Sequence, residues 1–178
     1  ALARTGHFDV RLTRQSGQLV PYAERVRLAE AWGADVLVSL HSDVRGHTET
    51  WSPTPGRSCL RSHDSPGYSV LWSDEGPDPL VGARHALARR VSGELAARGF
   101  LPFDGSEYRE DYAPDELAAV FADRHPEQER IFVLWRPSIP SILIETHNAL
   151  DEREAARWEE PTTRHAFAMA VAAALVDR

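Results

Sequence analysis

Two short apolar runs in this chain each end on a residue poorly suited to a core. Asp35-Val36-Leu37-Val38-Ser39-Leu40-His41 closes on a histidine, and Ser141-Ile142-Leu143-Ile144-Glu145 closes on a glutamate. Brief apolar runs of this kind, bounded by turn residues, read as buried strands of a covered sheet. In α/β proteins the carboxyl ends of strands meet in a shared crevice where ligands bind. A histidine and a carboxylate delivered there from distant parts of the chain are the kind of pair found in a metal-hydrolase site.

The intervening sequence predicts the layers around those strands. Phe8 to Thr13 alternates apolar and polar residues, as an edge strand does. Pro21 then opens a helix with Tyr22, Val26, Leu28, Ala29 and Trp32 on its apolar face, and Gly33 closes it. Strand, helix and strand with short connections imply a right-handed crossover unit of a parallel sheet. From Ser42 to Pro66 the composition turns to His, Ser, Thr, Pro and Gly. This predicts a long loop with one short strand near Glu49–Trp51, and Cys59 is a small loop residue within it. Tyr68 to Trp72 reads as a strand and Leu80 to Gly99 as a helix, followed by an aromatic and acidic loop over 100–113. Pro114 to Asp123 is predicted as a short helix with Asp115 and Glu116 in its first turn, and Ile131 to Trp135 as a strand. Two helices, 151–160 and 162–176, close the chain. The expected fold class is α/β: a single domain with a mostly parallel twisted sheet and helices on both faces.

A length of 178 residues and 42% hydrophobic content fit one soluble domain, 1–178. Its opening, Ala1 to Gly6, reads as the last turn of a helix that should begin earlier, so the domain is expected to be truncated or processed on its N-terminal side. The net charge of −7 and the lack of a basic run argue against a nucleic-acid partner. All 20 basic residues are arginine, a bias of little functional weight. A single cysteine excludes an internal disulfide and a thiolate cluster. No stretch approaches the ~20 apolar residues of a membrane span.

Taken locally, His41 is either a metal ligand or a histidine hydrogen-bonded at a strand end. Glu145 is costlier to explain, because a carboxylate behind three apolar residues needs a metal, hydrogen bonds, an open cleft or an arginine such as Arg14 or Arg136. Desolvation would raise its pKa and suit it to exchanging protons with water and a leaving amine.

Several segments together resemble the zinc-dependent N-acetylmuramoyl-L-alanine amidases of the Amidase_3 type. They are Phe8 to Arg14, Glu24-Arg25 through Trp32, Ala34 to Asp43, Phe132-Val133-Leu134, Pro140 to Glu145 and Asn148 to Glu154, and they occur in the family's order. The resemblance implies an amidase/zinc-exopeptidase-like fold. It also implies hydrolysis of the amide between N-acetylmuramic acid and L-alanine in peptidoglycan. By it, His41 is a Zn2+ ligand, Glu145 is the catalytic glutamate, and Arg14 and Arg25 are structural arginines. The family's other two ligands, a histidine and a glutamate, precede the point where this sequence starts. A separate N-terminal segment of the same protein is therefore the implied partner, alongside a peptidoglycan or muramoyl-peptide substrate. A periplasmic or secreted location follows from that substrate.

The sequence departs from the family pattern at Thr146-His147, where a small and then an apolar residue are usual, and at Asp43, where asparagine is common. Asp43 and His147 are accordingly candidates for cleft or supporting roles. His47, His63 and Asp64 enrich the 42–66 segment, which could bind a second metal, although a solvated loop is the stronger reading. Two alternatives stand beside the amidase: a non-catalytic cell-wall-binding or regulatory domain of the same fold, and a zinc amidohydrolase or peptidase for a different small amide.

Overall fold

A computed structural model describes residues 2–108 and 110–176. After a single 3-10 turn at Leu2–Thr5, the elements in chain order are α1 (Tyr22–Trp32), β1 (Leu37–Asp43), β2 (Glu49–Thr54), β3 (Arg57–Arg61), β4 (Ser69–Trp72), α2 (Asp78–Ala97), β5 (Tyr112–Pro114), β6 (Val120–Asp123), α3 (Phe132–Trp135), β7 (Ser141–Asn148), α4 (Glu152–Glu159) and α5 (Pro161–Val176). The five-stranded sheet has the order β1-β7-β4-β6-β5.

Strand β7 shows how the sheet sorts its side chains. Because successive residues of a strand face opposite ways, Ile142 and Ile144 pack with Leu87, Val91 and Leu95 of α2 and with Phe167, Val171 and Leu175 of α5. Leu143 faces the other way, towards Val26 of α1 and Val133 and Leu134 of α3. The α/β class with helices on both faces is therefore observed. The sheet is mixed, however, not mostly parallel. β1 and β7 are parallel, as are β4 and β6, whereas β4 with β7 and β5 with β6 are antiparallel.

That antiparallel step overturns two local expectations. Since β6 ends where β7 begins, the chain between them stays at one end of the sheet and needs no crossover. The apolar run Phe132–Trp135 is consequently a single helical turn with Val133 and Leu134 buried, not a strand. Residues 114–123 are not a helix either. Asp115, read as a first-turn acid, instead accepts from the Leu117 amide at 2.8 Å and starts the turn between β5 and β6.

Phe8 to Thr13 is also not a strand among the described residues. An alternating pattern requires a hydrogen-bonding neighbour, and the sheet ends at β1, leaving Val10 and Leu12 exposed. The crossover unit expected from that strand is accordingly absent. The 42–66 segment holds more order than a loop: β2 and β3 form an antiparallel hairpin turning at Pro55-Gly56, and Cys59 lies in β3 opposite Trp51. The helices at α1, α2, α4 and α5 fall where their periodicity predicts. Among the described residues no helix is long and apolar enough to cross a membrane.

Candidate active site

Parallel pairing of β1 with β7 sets His41 opposite Glu145, so the two strand ends singled out in the sequence share one register position. On the other side of β7, Ser69 of β4 is the partner of Glu145. The β1–β7 register shifts between His41 and Asp43, and beyond this irregularity Asp43 pairs with Asn148.

Glu145 is 9% exposed, and its Oε2 is buried without a hydrogen-bond partner. Burial pushes its carboxyl up to about 7; nearby Asp43 adds to the rise and Arg45 opposes it. Neither of the arginines considered from sequence serves it. Arg14 donates to the Gln18 carbonyl, and Arg136 stacks on Trp135. Arg25, expected to be structural, donates from Nε to the Val20 carbonyl at 2.9 Å and so ties the start of α1 to the preceding segment. The His41 imidazole is half-buried with Nε2 3.1 Å from Ser39 Oγ. Burial lowers its pKa, helped by Arg25 and Arg14 and opposed by Asp43, which favours the neutral ring that can offer a lone pair.

Around this pair lies a layer that sequence reasoning identified only at Asp43. Asp43 Oδ2 accepts from the Tyr108 hydroxyl at 2.9 Å and lies 3.4 Å from Arg45 Nε. Tyr108 Oη is also 2.9 Å from Ser69 Oγ. Burial drives the Tyr108 phenol strongly upward, with the Asp43 charge adding to it, so Tyr108 stays a neutral donor. Arg45 is 4% exposed, donates to the Gly67 carbonyl at 2.5 Å and lies 4.0 Å over the Phe103 ring. A buried arginine in a Gly/Ser/His-rich segment carries no recognisable local signal. Its guanidinium packs on Phe103, far away in the chain.

His147 stacks on Trp158 with centroids 5.4 Å apart, and its Nδ1 is 2.9 Å from Thr146 Oγ1. Asn148 is buried and joins the ends of β1 and β7: its Nδ2 donates to the Arg45 carbonyl at 3.1 Å, and its Oδ1 accepts from the Leu150 amide at 3.0 Å. His63 is not a solvated loop residue. It meets Asp151 and Glu152, and these three side chains are the one group among the described residues able to converge on a metal ion. His41 belongs to no such group.

The N-acetylmuramoyl-L-alanine amidase family model Amidase_3 matches residues 1–177. The chain belongs to this family. N-acetylmuramoyl-L-alanine amidase AmiA of Salmonella typhimurium is 26% identical over 187 residues, covering 99% of this chain and 63% of the relative. The probable amidase AmiB of Haemophilus influenzae is 25% identical over 191 residues, covering 98% of this chain and 42% of the relative. The chain thus spans under two thirds of the length of either of these relatives. Among solved structures, the apo form of the amidase Ami1 from Mycobacterium abscessus superposes with a TM-score of 0.65 at 18% identity, covering 92% of this chain and 64% of that one. AmiC2 of Nostoc punctiforme gives 0.64 at 20% identity, covering 98% and 74%. At these identities the structural likeness establishes the amidase fold.

Proposed function

We propose that this domain forms part of a zinc amidase that hydrolyses the bond between N-acetylmuramic acid and L-alanine in peptidoglycan. Glu145 is its general base and acid. The observation that carries this reading is the buried Glu145 carboxyl, with an unpartnered oxygen, beside His41 in a chain of the amidase family. A carboxyl raised to about 7 holds or releases a proton near neutral pH, as required for taking one from water and passing it to a leaving amine. Asp43 and Arg45 set the charge around it, and Tyr108 keeps Asp43 in position.

The donor set fits a share of a zinc site. His41 offers one neutral imidazole, whereas a catalytic zinc takes three protein ligands. Zinc, when bound, supplies a Lewis acid that acidifies water and polarises the amide carbonyl. We propose that the missing ligands come from a segment outside this chain. The outer edge of β1, unpaired among the described residues and carrying Leu40 at 57% exposure, is where such a segment would add. Peptidoglycan lies outside the cytoplasmic membrane, so the intact protein is periplasmic or secreted. The single ligand also keeps a second reading in play, a non-catalytic amidase-like domain that binds or regulates at the cell wall.

The intact protein should hold zinc at His41, lose that ion on His41→Ala, and release peptide with a new L-alanine amino terminus from purified peptidoglycan. Intact protein without zinc at His41 or turnover would favour the second reading.

A further inference from the structure

His63 leaves the β2–β3 hairpin segment and meets the start of α4, 89 residues further along the chain, with Nε2 2.7 Å from Glu152 Oε2. Asp151, 5% exposed, is the N-cap of α4, and its Oδ1 accepts from the amides of Arg153 and Glu154 at 2.9 and 3.2 Å. Both of those bonds use Oδ1, which leaves Oδ2 for coordination. One donor atom from each of His63, Asp151 and Glu152 lies within 4.8 Å of the others. We propose that these residues form a zinc-type cation site that clamps the segment after β3 onto the start of α4. This inference is independent of the catalytic reading, because His41 and Glu145 take no part in it.

Three observations support it. An imidazole nitrogen with two carboxylate oxygens is a donor set for borderline cations such as Zn2+ and Co2+, whereas Ca2+ and Mg2+ prefer oxygen alone and more of it. The two segments are already joined by backbone, with the Ser62 amide donating to the Leu150 carbonyl at 3.0 Å, so the ligands are held before an ion arrives. A hydrogen bond from His63 to Glu152 still leaves two carboxylates together. Arg61 Nη1 stands 3.9 Å from Glu152 Oε1, beyond hydrogen-bond distance. The positive end of α4 opposes a cation, and the two carboxylates offset it.

The test uses the intact protein carrying His41→Ala, which removes the catalytic candidate ligand and separates this proposal from that one. Titrated with Zn2+ alone, this variant is expected to bind one ion and to gain roughly 5–10 °C in Tm at about a hundredfold excess over Kd. Adding His63→Gln, Glu152→Gln or Asp151→Asn should abolish uptake; the last keeps a helix cap. Imidazole NMR should show the His63 ring nitrogens shifting with zinc, a response that folding defects do not mimic. Three outcomes would overturn the proposal: no uptake by the folded His41→Ala protein, uptake unaffected by His63→Gln, or equal binding of Ca2+.

Discussion

Glu145 and Glu154 lie nine residues apart on consecutive elements, and the fold surrounds their carboxyls in opposite ways. Glu154 accepts from the Gly67 amide at 3.0 and 3.1 Å and from the Asn148 amide at 2.9 Å, joining the segment before β4 to the end of β7. Glu145 is more deeply buried and has an oxygen with no partner. A carboxylate serving as an anchor is surrounded by hydrogen-bond donors. One that exchanges a proton must be left under-solvated, and the fold carries that cost. Glu154 is thus an acid satisfied by its donors, and Glu145, the proposed proton carrier, is one left with an unpartnered oxygen.

The difference is open to experiment at four points. The largest effect concerns the reaction. In the intact protein, Glu145→Gln should reduce hydrolysis of a muramoyl-peptide by about 10²–10⁴-fold while zinc content, read by elemental analysis, is retained. Turnover near the parent rate would dissolve the distinction.

Next comes the anchor. Glu154→Ala strips a charged acceptor from two backbone amides and should cost about 1–3 kcal/mol in urea unfolding, with Glu154→Gln recovering part of it. Loss of activity with unchanged stability would contradict the anchoring role.

The third effect has the opposite sign. Glu145 has its folded-state pKa near 7, above its ordinary 4.5, so the folded chain binds the extra proton. The stability tied to that proton is fully present below about pH 4.5 and is lost as pH rises through 7. Glu145→Gln should therefore stabilise the metal-free chain by roughly 1–3 kcal/mol at pH 8 and scarcely at pH 4. Unfolding curves at the two pH values decide it, and an equal effect at both would show that burial does not govern the group.

The smallest is a shift in titration. Asp43→Asn removes a neighbouring negative charge and frees Arg45 from its ion pair, so the Glu145 carboxyl should titrate lower, by about one unit or less, in NMR of the metal-free chain. A rise would mean that Asp43 acts through structure and not through charge.

The extent to which all this was legible follows a simple division. Apolar periodicity placed α1, α2, α4 and α5 and both strands of the His41–Glu145 pair, because burying one helical face or a covered strand leaves a pattern in any window of the chain. It failed at 8–13, 114–123 and 131–135. Short apolar runs there fit more than one backbone state, and the choice was made by neighbours distant in sequence: a missing strand partner, an Asx turn, a sheet that reverses between β6 and β7. At the site the sequence exposed Glu145 and His41 through their incongruity, and Asp43 through its departure from a family pattern. Arg45, Tyr108 and Ser69 carried no such mark. They matter because folding brings them to Asp43 and Glu145, as it brings His63 to Asp151 and Glu152.

By itself, then, the sequence determined where the two strands lie and which two residues they deliver to a common end of the sheet, since hydrophobic burial and the cost of an isolated charge are read locally; β7 is covered as expected, whereas β1, expected to be buried, is an edge strand with Leu40 exposed. Strand direction, the surroundings that raise Glu145 and the pairing of His63 with α4 were decided only in three dimensions, because they depend on contacts between segments far apart along the chain.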